Sequence, residues 1–405
     1  MIHGASVCNA LRVLFAGSLP YRITYVTMVA ALGVGATPSG PVIQSTSEVP
    51  AIAGPIELKG SGFGLKKEAA PVLYDRIDNI KAYLPHHMRH GGEVPVVEDG
   101  DCPDCPWKAT IPPDWGMRPR LYDRTENARV PGRPAYYVNR KGYFRGFDPV
   151  TPLTEADIVY LSWWLRSNHA LHYPPSGEPV FNKLLRFTAG DSMDWTEQVE
   201  IEPQSCYGTR KGCGEDGWDW FEDYPEIEPG VWHHVEMLIE GGGDLPAGSG
   251  RVEVLFDGVR RSGTSNLYSC HGMLDHIYVW GSDPHQPDLY PVDSEILFGE
   301  LYLDTGRARV VLSDSDRYVW NNAAPTRWEI QPARSWSDTS ITIDFDPGAL
   351  PRDQVLYLYV IDPSGEVSPP FPVSAQDLPG TGVIPEQSGS SGLSCVNSAP
   401  SGSGD

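Results

Sequence analysis

From Trp232 to Ile239, and again from Arg251 to Phe256, side chains alternate in character, with Val235 and Ile239 on one parity and His234 and Glu236 on the other. A repeat of two cannot sit on a helix, whose period is 3.6, and it fits strands with one buried face. A Gly-rich loop joins the two runs, and Asp257-Gly258 closes the second at a tight turn. Trp232 is expected to clamp the strand start, and His233 and His234 to serve packing and a strand-edge hydrogen bond. Runs with helical apolar periodicity are hard to find elsewhere, and 42 Gly and 38 Pro punctuate the chain. The expected class is all-β. At 405 residues the chain exceeds one core, which predicts one large domain with smaller appendages.

Trp232-His233-His234-Val235 followed by Asp257-Gly258 resembles the hairpin of the concanavalin A-like lectin/glucanase sandwiches, a group that includes laminin G-like modules and jelly-roll polysaccharide lyases. The resemblance covers about Tyr136 to Leu312. It implies a jelly-roll β-sandwich and a polysaccharide partner, and it does not decide between binding and catalysis. The sandwich is placed at 121–312, with strands at Ile158–Arg166, Asn182–Phe187, Glu197–Glu202, the hairpin, His276–Trp280 and Leu297–Thr305. Residues 313–375 carry short strands and read as a small immunoglobulin-like β-unit; 376–405 is a Gly/Ser/Pro tail that can form no core.

Ahead of the sandwich, Ile56-Glu57-Leu58-Lys59-Gly60-Ser61-Gly62-Phe63-Gly64 resembles the start of a TIG module. Too few residues follow for a whole module, so 37–75 is read as lead-in strands to the large sandwich, ending in Val72–Asp75. Residues 76–120, rich in Pro, His and acid, are expected to be an irregular insertion. Residues 1–36 read as a leader: Arg12 and Arg22 precede the apolar run Ile23–Ala36, which ends in small residues. A secreted or cell-surface location is expected. That run is too short to span a bilayer.

The formal net charge of −22 opposes whole-molecule attraction to nucleic acid or anionic membrane. Between Trp115 and Phe147 the trend reverses: Arg118, Arg120, Arg124, Arg129, Arg133, Arg140, Lys141 and Arg145 face only Asp123 and Glu126, and eight minus two leaves +6. These bases and the tyrosines among them can offer an anionic sugar ion pairs and stacking, or pair with the acidic excess elsewhere. Of seven cysteines, Cys102 with Cys105 and Cys206 with Cys213 are close enough to close small disulfide loops, a pattern of oxidising compartments. The second spacing is too long for a zinc knuckle.

The resemblance implies sugar binding on a concave face, where alternate residues of neighbouring strands converge. A lyase acting on a uronate must neutralise the carboxylate, remove the adjacent proton and protonate the leaving oxygen. The expected catalytic residues are Arg166 or Arg186 for the carboxylate and Tyr160, Tyr278 or His276 for the protons. Trp164, Asn182, Lys183, Gln198, Glu200 and Trp280 are expected to contact substrate. Glu200 and Glu202, about 6.5 to 7 Å apart along one face, match a glycosidase pair. Gln198, however, stands where the similar glucanase strand carries a third carboxylate, which disfavours hydrolysis. Asp75 and Asp304 are candidates for a structural Ca²⁺. The expected function is recognition of a polysaccharide, with β-elimination of an acidic one. The competing class is a non-catalytic cell-surface or virion protein using the same sandwich for structure or adhesion.

Overall fold

The computed structural model describes residues 40–50, 53–79, 92–96, 102–109, 120–122, 125–139, 147–149, 158–169, 185–188, 198–202, 206–210, 218–221, 228–240, 250–267, 276–279, 293–318 and 327–373. At 109, 125, 139, 147–149, 185–188, 198–202, 206–210, 218–221, 250, 261–267 and 276–279 it describes the backbone course only. The protein is all-β, built of antiparallel sheets.

The largest sheet has eight strands. Its path runs Val259–Leu267, Gly250–Phe256, Trp232–Glu240, Ile158–Ser167, Glu295–Asp304, Ala135–Asn139 and Arg120–Tyr122, and Leu73–Asp75 pairs with the second half of Glu295–Asp304. The Asp-Gly turn has φ of 52° at Asp257 and 75° at Gly258, the doubly positive geometry of a two-residue hairpin turn. Asp257 also caps its neighbours. Its Oδ1 accepts from the His234 backbone N–H at 2.8 Å, and its Oδ2 accepts from His233 Nδ1 at 2.8 Å. Trp232 Nε1 donates to the Asn127 carbonyl at 3.0 Å. The motif that singled out this hairpin is therefore part of its own scaffold.

Alternation sorts the sheet's two faces. Val159, Leu161, Trp163 and Leu165, then Val235, Met237 and Ile239, then Val252, Val254 and Phe256 enter one core with Val94, Val96 and Trp107. The segment expected to be an irregular insertion thus supplies core residues, including Cys102 and Cys105, a bonded pair with Cα atoms 5.3 Å apart. On Glu295–Asp304 the buried set shifts from even to odd positions: Ile296 and Phe298, then Leu301 and Leu303. A β-bulge between Gly299 and Tyr302, with Glu300 at φ 46°, absorbs the extra residue and keeps all four on one face.

A second, smaller sandwich is made from both ends of the described chain. One sheet orders Val42–Thr46, Gly54–Ser61, Ser340–Phe345 and Ala333–Trp336; the other orders Trp328–Gln331, Arg309–Ser313, Leu356–Ile361 and Phe371–Val373. Ile43, Ile56, Leu58 and Phe63 share a core with Val310, Leu312, Ile341, Ile343, Leu358 and Val360. The strand expected to lead into the large sandwich pairs instead with Ser340–Phe345, Glu57 opposite Thr342. The reason is physical: its apolar face, Ile56 and Leu58, needs a complementary apolar face, and that face lies at the far end of the chain. At Gly60 a Cβ would stand 1.9 Å from the Val42 carbonyl oxygen, so only glycine lets these two strands close. Val72–Asp75, by contrast, does join the large sheet, through Leu73–Asp75.

A five-stranded sheet orders Trp218–Phe221, Cys206–Arg210, Gln198–Glu202, Leu185–Thr188 and His276–Val279. Trp107–Ala109 pairs with Phe147–Pro149.

Candidate functional site

The residues expected on one sugar-binding face divide between two sheets: Tyr160, Trp164 and Arg166 lie on the eight-stranded one, and the small sandwich packs on that face at Tyr160. Tyr160, Leu238 and Tyr302 form one cluster with Val311, Tyr318, Trp328, Ile330, Tyr359 and Ile361. Tyr160 is fully buried; its hydroxyl donates to Glu236 Oε1 at 2.7 Å, and the Arg309 guanidinium lies 4.3 Å from its ring centroid. It cannot exchange protons with a polymer from there. Trp164 stacks with the His234 ring at 4.7 Å and with Arg129 at 4.3 Å. Arg166, at the strand end, donates through Nε to the Gly230 carbonyl at 3.0 Å. Alternation along Ile158–Ser167 names the residues on this face correctly but cannot say what covers them.

The two acids proposed for Ca²⁺ already accept from protein donors. Asp75 is buried and accepts from Trp107 Nε1 and the Ile77 N–H, each at 2.7 Å, and from the Tyr136 hydroxyl. Asp304 pairs with Lys66 Nζ at 2.6 Å and accepts from the Tyr302 hydroxyl at 2.7 Å and the Thr305 N–H at 2.8 Å.

At the edge of the packed face lies an ionic cluster. Arg129 forks onto Glu329 at 2.6 and 2.9 Å and pairs with Glu300; Arg133 pairs with Glu300, Asp346 and Asp78; Arg76 pairs with Asp346 and Asp78. Arg129 and Arg133 belong to the basic segment noted above, so two of its cations serve internal acids. Beside the cluster a cavity lined by Ser162, Trp164, His234, Glu300, Tyr302 and Trp328 holds only about 10 Å³, enough for one water and not a sugar ring. Ser162 Oγ and His234 Nε2 share a 2.7 Å hydrogen bond across it. Burial, helped by Arg129 and Arg309, holds His234 well below its ordinary value, so it stays neutral.

Glu236 shows the opposite effect. Burial raises its carboxyl to about 7 against the pull of Arg309 and the Tyr160 hydrogen bond, and Oε2 has no hydrogen-bond donor among the described residues. The folded protein therefore holds this proton more tightly than the unfolded chain does. The stability Glu236 lends is complete below its ordinary value of 4.5 and is lost as pH rises through about 7. Glu236→Gln keeps the hydrogen bond to Tyr160 without the charge. Urea unfolding across this window should show the wild type losing up to about 3 kcal/mol relative to the variant. Parallel curves would mean that the charge is compensated in place. His234 slopes the other way, losing stability toward acid, and is common to both proteins.

The second candidate is the five-stranded sheet. Register sets Tyr278 opposite Arg186, Arg186 opposite Glu200, Glu200 opposite Gly208 and Gly208 opposite Trp220, one unbroken row across five strands. Thr188 is paired with both His276 and Gln198. Residues two apart on a strand share a face. The five expected site residues Arg186, Gln198, Glu200, His276 and Tyr278 therefore occupy one face of one sheet. Asn182, Lys183 and Trp280 lie outside the described residues. Sequence reasoning missed the strands Cys206–Arg210 and Trp218–Phe221, and with them Trp218 and Trp220. The available signal was the Trp-Asp-Trp-Phe alternation, short enough to pass for a loop.

No family profile matches the chain, and a search of the curated proteins finds no match. Among solved structures it is similar to an alginate lyase at 13% identity and a TM-score of 0.32, over 53% of this chain and 92% of that one. A cellulose-induced protein aligns at 13% identity and 0.33, over 49% of this chain and 91% of its own. An alginate lyase from Chlorella virus aligns at 12% and 0.30, over 49% and 88%.

Proposed function

We propose that the protein recognises an acidic polysaccharide on the polar face of its five-stranded sheet and cleaves it there by β-elimination, outside the cell. The observation that carries this reading is the register row Tyr278, Arg186, Glu200, with His276 and Gln198 on the same face. In the reaction Arg186 holds the uronate carboxylate and stabilises the charge that develops when the adjacent C–H proton is removed. Tyr278 or His276 takes that proton. The electron pair forms the new C–C double bond as the glycosidic C–O bond breaks, and the other of the two delivers a proton to the leaving oxygen. The reading moves chemistry away from Tyr160 and Arg166, because Tyr160 is buried beneath the small sandwich.

Purified protein incubated with alginate, pectate, glycosaminoglycans and neutral β-glucans tests this. Unsaturated-uronate absorbance and reducing ends should rise together on one uronate polymer. Arg186→Ala and Tyr278→Phe should each lower the rate by two orders of magnitude or more, roughly what loss of a charge-stabilising or proton-transfer group costs. Reducing ends without the absorbance would replace elimination by hydrolysis at Glu200 and Glu202. Silence on every polymer, with no retention on immobilised glycans, would sink polysaccharide recognition altogether.

A further inference from the structure

The five-stranded sheet is sharply two-sided by register. Ile277 and Val279, Leu185 and Phe187, Val199 and Ile201, and Tyr207 and Phe221 occupy one face, which turns polar only at Thr209 and Asp219 near the edge. The opposite face is polar from His276 and Tyr278 through Arg186, Thr188, Gln198 and Glu200 to Arg210. An antiparallel sheet with one apolar and one polar face gives the apolar one to the core. Trp218 and Trp220 break the pattern. Arg210 pairs with Trp218 and Gly208 with Trp220, so both tryptophans stand on the polar face, on the edge strand of the five. Their positions two apart give a spacing of about 6.5 to 7 Å along the strand. Gly208 places no side chain between Trp220 and Glu200.

We propose that Trp218 and Trp220 form an aromatic subsite that stacks sugar rings of the polymer remote from the cleavage point, making this a site selective for long uronate chains. The inference rests on the reading of this face as the polysaccharide site. The row from Tyr278 to Trp220 crosses four interstrand steps of about 4.8 Å, or about 19 Å in all. One such step is close to the length of a pyranose residue along a 1,4-linked chain, so a chain laid across the strands puts its reacting residue at Arg186 and Tyr278 and a ring about three residues away at Trp220. An indole offers such a ring a flat apolar surface at little conformational cost, while Arg186 supplies the charge recognition. Chain length is thereby read by the edge strand and acidity by the centre of the sheet.

Oligomers of two and of five residues, cut from the uronate polymer singled out above, are titrated calorimetrically against proteins that all carry Tyr278→Phe to suppress turnover, with position 220 as wild type, Trp220→Ala, Trp220→Phe or Trp220→Leu. The wild type should bind the five-residue oligomer more tightly than the two-residue one. Trp220→Ala should remove about tenfold of that advantage and leave the short oligomer unchanged, Trp220→Phe should restore most of it, and Trp220→Leu should not. Should the alanine variant fail to fold, the Phe and Leu pair decides alone, since both fill the position and only one stacks. Wild-type length selectivity retained in Trp220→Leu would overturn the subsite and leave polysaccharide recognition standing. A wild type that binds neither oligomer overturns the functional reading, and the subsite falls with it.

Discussion

Arg129→Ala is expected to destabilise the protein by about 3 to 5 kcal/mol, the loss seen when one partner is removed from a buried ion pair. The Arg129 side chain is 7% exposed and lies between Glu300 of the eight-stranded sheet and Glu329 of the small sandwich, with Trp164 beneath its guanidinium. Without it Glu329, 6% exposed, is left without its forked donor, while Glu300 keeps Arg133. Most of the loss therefore comes from a buried carboxylate that keeps the Ala349 N–H at 2.9 Å but has lost its countercharge, rather than from the pair's own attraction. It follows that Arg129→Ala/Glu329→Ala should be less destabilised than the sum of the single variants, with a coupling of roughly 1 to 3 kcal/mol. Arg129→Met, which keeps an unbranched apolar stem and loses the guanidinium over Trp164, separates packing from charge. Urea unfolding of the set reads these values directly. A loss below about 1 kcal/mol for Arg129→Ala would show that water reaches the cluster and screens it.

A chain that begins after Gly64 is expected to lose the small sandwich as a folded unit. Two of the eight strands go, and with them Ile43, Val49, Ile56, Leu58 and Phe63, about a third of that core; a single buried Leu or Ile truncation costs about 2 to 5 kcal/mol. Hydrogen exchange at Val310, Leu358 and Val360 should rise to the rate of unprotected amides, while Leu161 and Met237 in the large sheet stay protected. Supplying residues 40–64 as a separate peptide should restore protection, since the missing piece is an edge-to-edge strand addition onto Ser340–Phe345. Continued protection at Val310 in the shortened chain, without peptide, would mean that the C-terminal strands fold on their own.

Legibility in the sequence divides along the range of the signal. The parity of Trp232–Ile239 is local, and it sorted Val235 and Ile239 from His234 and Glu236 as the structure does. The Asp257-Gly258 turn is equally local and forms as its residue types require. The partner of Gly54–Ser61 was not legible, because alternation within a strand specifies that a complementary face is needed and not where along 405 residues it lies. The same gap hid the cover over Tyr160. The bulge at Glu300 escaped because one inserted residue looks, in sequence, like an ordinary break in alternation. For the five-stranded sheet, the strands bearing Arg186, Glu200 and Tyr278 were read correctly; that the three stand directly opposite one another is a matter of register, which turns and distant pairing set.

The construction of the small sandwich from both ends of the chain also sets a timetable. A ribosome releases Gly54–Ser61 long before it makes Ser340, the first residue of its partner strand, 279 residues later by subtraction from Ser61. At about 5 to 20 residues per second the delay is on the order of tens of seconds, very long against the roughly microsecond timescale of hairpin formation. Throughout that interval Ile56 and Leu58 emerge on a strand that has its hairpin partner Val42–Thr46 on one side and on the other an open edge, since Ser340–Phe345 does not yet exist, while the eight-stranded sheet can complete itself. The nascent chain therefore presents an adhesive edge that a chaperone must hold or a second nascent copy can capture, and exchange of this strand between copies is the misfolding route built into the topology.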